Sequence, residues 1–136
     1  MFAQRAREQY GVEVNAGPIN INSRPALIVE KFADTQGKGE AFHKAVMRAY
    51  WQEAKVVENR DVLEEVATSV GLHFDDFAAI LENPEFDAAV SADIELAQEY
   101  GLTGVPAVVF ADKYLIMGAQ PYDIFRQAAE KVLAET

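Results

Sequence analysis

Apolar residues recur at helical spacing along most of this chain, and the pattern breaks at joints marked by glycine or proline. Residues 3–10 (AQRAREQY) predict a short helix stopped by Gly11, followed by an extended, turn-rich connector, VEVNAGPININ, punctuated by Gly17-Pro18. Ser23 as N-cap and Pro25 in the first turn open a second helix with the stripe Ile28, Val29, Phe32 and Ala33. The breaker Gly37-Lys38-Gly39 ends it. Phe42, Val46, Ala49 and Tyr50 then mark a third helix running to about Glu53.

Asn59 predicts the cap of a helix bearing Val62, Leu63, Val66, Ala67 and Val70, closed by Gly71. Asp75 is expected to cap a shorter one bearing Phe77, Ala78 and Leu81. Asn83-Pro84 opens a longer helix in the N-cap and N1-proline pattern, with Phe86, Val90, Ala97 and Tyr100 on one side and Gly101 beyond its end. After Thr103-Gly104 the pattern changes from helix to strand. Ala107–Phe110 and Tyr114–Met117 are short β-prone runs that read as an antiparallel hairpin. Their joint, Ala111-Asp112-Lys113, lacks the glycine or asparagine of a two-residue hairpin, which predicts a slightly longer loop. Gln120-Pro121 starts a last helix with Phe125, Ala128, Ala129 and Val132 facing inward.

Composition bounds what such a chain can do. With 136 residues, half of them hydrophobic, it is the size of one domain and long enough to bury a core. Its formal net charge of −10 repels nucleic-acid phosphates and anionic membrane surfaces, so neither is expected as a partner. There is no cysteine, which removes disulfides, thiolate metal sites and thiol nucleophiles. The polar start, MFAQRAREQYG, has no apolar targeting core, and no window reaches the length of a membrane span. The expectation is a cytoplasmic protein without a cofactor.

Other residues that could carry chemistry read as structural. His43 and His73 lie on different elements, and no convergence with Glu40 or Asp75 is visible, so neither is read as a metal ligand or general base. Glu64-Glu65 and Asp75-Asp76 are adjacent pairs whose side chains diverge on a helix. Gly37-Lys38-Gly39 has no P-loop spacing and no preceding strand, which makes it a helix–helix turn. Phe42 and Tyr50-Trp51 could form an aromatic platform for a peptide, but aromatics at helical spacing are usually core and are read so here.

Gly104-Val105-Pro106 running into a short strand, a hairpin, Gly118 and a terminal amphipathic helix is similar to the end of thioredoxin-fold proteins. Gly118-Ala119-Gln120-Pro121, with Phe42-His43 and Ala49-Tyr50-Trp51 upstream, narrows the resemblance to DsbA-family dithiol–disulfide oxidoreductases of the FrnE type. The resemblance implies an α/β thioredoxin-like fold of the DsbA type with a helical insertion, mostly α-helical with a short antiparallel hairpin. Residues 1–136 are expected to form one domain, with 22–101 as the insertion and 102–136 as the C-terminal part of the thioredoxin-like unit. Such a fold would be incomplete. The family's strand and Cys-x-x-Cys helix have no counterpart here, so the chain resembles the rear portion and no catalytic residue is assigned.

Thiol–disulfide exchange needs a thiolate, so the resemblance leaves only the binding side of the site. It implies a cis proline at Pro106, with Val105 and Pro106 meeting a protein or peptide substrate by strand addition. On the residues alone, a trans proline starting the strand is the commoner case. Two other readings stand beside the oxidoreductase. One is a non-catalytic protein that binds peptides or self-associates, with a homodimer joined through the exposed hairpin edge. The other is a relative of kappa-class glutathione transferases and hydroxychromene-carboxylate isomerases, disfavoured because those show Gly-x-Asp-Arg where this chain has Gly118-Ala119-Gln120-Pro121.

Overall fold

A computed structural model describes residues 1–136 as seven helices and one hairpin. Two compact units divide it, Met1–Ala92 and Asp93–Thr136. Unit 1 holds helices α1 (Phe2–Tyr10), α2 (Arg24–Thr35), α3 (Gly39–Trp51), α4 (Arg60–Ser69) and α5 (Phe77–Leu81), and the border falls within α6 (Pro84–Glu99). Unit 2 holds strands β1 (Ala107–Phe110) and β2 (Tyr114–Met117) and helix α7 (Tyr122–Glu135).

In unit 1, α2 packs on α3, α4 and α5, and α3 also packs on α4. Phe42, Leu63 and Val29 are sealed at its centre. Burying one such side chain stabilises a fold by roughly 1.5–3 kcal/mol, which is why the predicted stripes decide how these helices face. Polar groups close the ends. Asn59 Oδ1 accepts from Asp61 N at 2.8 Å and Val62 N at 3.4 Å, the cap its position predicts. Asp76, not Asp75, caps α5, accepting from Ala78 N at 3.0 Å and Ala79 N at 3.4 Å. Asp76 stands directly before the helix with an extended backbone that turns its carboxylate onto the first free N–H groups. At α2, Ser23 is in the N-cap position without a side-chain bond, and Asn22 Oδ1 takes Arg24 N at 3.0 Å instead.

The connector between α1 and α2 has no regular structure but is stitched to the end of α3. Asn15 N donates to Trp51 O at 2.8 Å and Gly17 N to Tyr50 O at 2.7 Å. A Cβ on Gly17 would stand 2.5 Å from Lys55 O, so the close approach requires glycine. Lys38 Nζ caps the end of α4, donating to Val70 O at 3.2 Å and Gly71 O at 2.6 Å. That contact accounts for the lysine of the Gly37-Lys38-Gly39 turn. No helix is long and apolar enough to cross a membrane.

Unit 2 is built on one antiparallel ladder pairing Ala107 with Met117, Val108 with Ile116, Val109 with Leu115 and Phe110 with Tyr114. Its three-residue joint is longer than a two-residue loop, as its composition predicts. Ala111 (φ 50°) and Asp112 (φ 55°) both take left-handed backbone, and Lys113 N donates to Phe110 O at 3.0 Å. α7 packs on β1 with Phe125, Ala128, Ala129 and Val132 half-buried, the face its spacing predicts.

Candidate functional site

The loop Thr103–Pro106 leads into β1 and is exposed throughout, with Val105 at 93%. The Val105–Pro106 peptide bond is cis. Neither the N–H nor the C=O of Val105 has a hydrogen-bond partner within the chain. A backbone pair left open beside a strand end is able to accept a further extended segment, because strand addition needs one donor and one acceptor at that place.

The loop is held from below by the second motif that the sequence singles out. Gly118 N donates to Pro106 O at 2.7 Å, so the Gly-Val-Pro and Gly-Ala-Gln-Pro stretches are hydrogen-bonded neighbours. Gly118 has φ 80°, a left-handed backbone that turns the chain off β2 and aims its N–H back at the proline. Gln120 fixes the same corner, its Nε2 donating to Met117 O at 3.0 Å and its backbone N to Gly118 O at 3.0 Å. Pro121 then stands in the N-cap position of α7.

The opposite end of the hairpin is tethered by groups that the sequence does not mark. Tyr100 Oη donates to Asp112 Oδ1 at 2.7 Å, and the carboxylate beside it pushes the phenol above the usual tyrosine range. Tyr114 Oη and Lys113 Nζ both donate to Glu135, and Lys131 Nζ lies 4.5 Å from the centre of the Tyr114 ring. These bonds span many residues with no motif, so periodicity does not reveal them.

The remaining candidates belong to unit 1. His43 Nδ1 faces Glu30 Oε2 at 3.3 Å on the surface of α3. His73 is bound through its backbone, donating to Gln36 Oε1 at 3.0 Å and accepting from Gln36 Nε2 at 2.6 Å. The aromatic trio separates. Phe42 is fully buried and Tyr50 is half-buried with its Oη on Pro18 O at 3.2 Å, but Trp51 is 40% exposed. Trp51 thus departs from the core expected for it, because α3 ends there, the connector bonds to its backbone, and Phe2 of α1, beside its ring, is itself exposed.

This ordered set, helices followed by a cis-proline loop, a hairpin and a glycine-turned terminal helix, is matched by the profile of the DSBA-like thioredoxin domain over residues 3–130. The chain belongs to that family. The uncharacterized protein YwbO of Bacillus subtilis is 29% identical over 128 residues, covering 92% of this chain and 64% of its own length. A probable DsbA oxidoreductase from Streptomyces coelicolor superposes with a TM-score of 0.80 at 26% identity, covering 98% of this chain and 58% of that protein. A thioredoxin-like oxidoreductase from Silicibacter pomeroyi DSS-3 superposes with a TM-score of 0.65 at 26% identity, over 90% of this chain and 68% of that one. The DsbA-like chain therefore spans about 64% of its curated relative. It shares the family's fold and carries no cysteine of its own.

Proposed function

We propose that this chain provides the substrate-contacting part of a FrnE-like thiol–disulfide oxidoreductase, and that the thiols come from polypeptide other than these residues. Val105 and Pro106 form the contact. The exposed, unpaired backbone of Val105 at the mouth of β1, in a protein of the DSBA-like family, is the observation that carries the reading. An extended substrate segment lies beside Val105 and exchanges backbone hydrogen bonds with it, while thiolate attack on a disulfide sulfur takes place on a cysteine pair brought to the same place. Gly118-Ala119-Gln120-Pro121 behind the loop supports the FrnE-like branch.

Hydrogen exchange tests this directly. A reduced, S-alkylated unfolded polypeptide added to saturation should slow exchange of the Val105 amide by about ten-fold or more, as a bound strand closes a donor. Val105→Pro deletes that donor and should abolish binding. Binding that leaves Val105 exchange unchanged, or that survives the substitution, removes the reading.

A second reading is favoured by the sheet itself. With two strands only, the outer edges of β1 and β2 have no partner strand, and such edges template pairing with another chain. On this reading the protein self-associates as a homodimer through the hairpin and catalyses nothing. Sedimentation velocity showing a monomer at high concentration would dispose of it.

A further inference from the structure

In unit 1, independently of the proline loop, apolar residues that stay out of the core gather around Trp51. One side of its ring lines a cleft of about 660 Å³ against α1, where Phe2 stands 6.0 Å away between ring centroids. Trp51 also lines a groove of about 340 Å³ between α2 and α3 beside Leu27 and Met47. Phe2 is 66% exposed, Leu27 41% and Met47 44%, so these side chains give up little water to the fold. Met47 and Trp51 are four residues apart on α3, with His43 four before, a strip about 12 Å long at 1.5 Å per residue.

The charge beside this strip runs against the chain's balance of −10. Arg5 lines the α1 cleft, and Arg48 lines an adjoining hollow with Met47 and Trp51. Neither arginine has a carboxylate partner in the chain. In the α1 cleft Glu13 is already paired with Arg7 at 2.6 Å, and in the hollow beside Arg48 Lys44 is paired with Glu40 at 2.6 Å; Glu30, 3.3 Å from His43, is the acid of the groove between α2 and α3. At the α1 cleft and the Arg48 hollow, on either side of Trp51, the charge left unpaired is positive on a strongly acidic protein.

We propose that this strip is a docking site for an acidic amphipathic helix of a partner protein. Its apolar anchors, spaced at i, i+3 or i+4 and i+7, sit along Leu27, Met47 and Trp51, and its carboxylates pair with Arg5 and Arg48. Exposed apolar patches of this kind mark interaction surfaces, and the arginine pair selects the sign of the partner.

Trp51 is the only tryptophan, so its fluorescence reports on the strip alone. The probe is a synthetic amphipathic helix of about 14 residues with leucine anchors and glutamate elsewhere, compared with a twin carrying lysine for glutamate. The glutamate peptide should shift Trp51 emission to the blue saturably, and the lysine twin should bind at least about ten-fold more weakly. Arg48→Glu should weaken the glutamate peptide by about ten-fold while leaving the circular dichroism spectrum unchanged. Trp51→Ala, followed by calorimetry, should lose binding. If that variant fails to fold, Leu27→Glu blocks the groove and keeps the reporter. Equal affinity for the two peptides, or full affinity in Arg48→Glu, overturns the proposal. So does a blue shift that grows with protein concentration in the absence of peptide, which would assign the strip to a second copy of the chain.

Discussion

Unit 1 surrounds Phe42, Leu63 and Val29 with helices on several sides, whereas Ile116 is the only buried residue of unit 2. The helices of both units are amphipathic, so pattern alone does not separate them. The difference lies in how many elements each unit brings together. A stripe becomes a core only when another face covers it, and one helix on a two-stranded ladder offers a single cover. Unit 1 is therefore held by packing. Unit 2 relies more on directional bonds, from Gly118 to Pro106 at one end of the hairpin and from Tyr100, Lys113 and Tyr114 to carboxylates at the other.

If packing holds unit 1, Phe42→Ala should be the most damaging of the following changes, costing about 3–5 kcal/mol in urea unfolding, because the cavity lies amid residues that cannot collapse into it. A loss under about 1 kcal/mol would mean that the core is not the main source of stability. Ile116→Ala is the matching cut in unit 2 and should cost about 2 kcal/mol, the low end for its type, since its thin surroundings can close in. A cost equal to that of Phe42→Ala would erase the contrast between the units. Ala111→Gly acts in the opposite sense. It relieves a left-handed alanine, and allowing for the freer unfolded chain it should stabilise the protein by about 0.5 kcal/mol, read as a raised melting temperature.

The smallest effect concerns a surface ion pair of unit 1. Arg24 Nε donates to Asp87 Oδ1 at 2.8 Å, and its Nη2 donates to Asp87 O at 3.0 Å and Ser91 Oγ at 2.8 Å. The hydrogen bond from Arg24 holds the Asp87 carboxyl below the usual aspartate range. A group depressed in this way contributes stability that is present above its unfolded pKa and is lost as pH falls through the folded one. Between about pH 5 and about pH 2, Asp87→Asn should therefore lose slightly less stability on acidification than the parent chain. Because both side chains are partly exposed, the difference is small and should shrink further in high salt. A steeper acid loss in the variant would reverse the sign and refute the pairing.

What the sequence determined by itself is local. Caps, breakers and apolar spacing place α1 to α7 within a residue or two, since an N-cap such as Asn59 acts on N–H groups two and three residues away. The strand limits are legible for a related reason: β-prone runs bounded by Pro106, the Ala111-Asp112-Lys113 joint and Gly118 specify where a ladder begins and stops. Gly-Val-Pro and Gly-Ala-Gln-Pro were visible as motifs, and so was their likeness to the DsbA family. Only the tertiary structure decided that Gly118 N–H meets Pro106 O, that Gly17 passes close to Lys55, and that Trp51 stays at the surface while Phe42 is sealed. Each of these depends on what a distant segment does. Helical periodicity says which side of a residue is apolar, but burial is settled by whether some other part of the chain arrives to cover it.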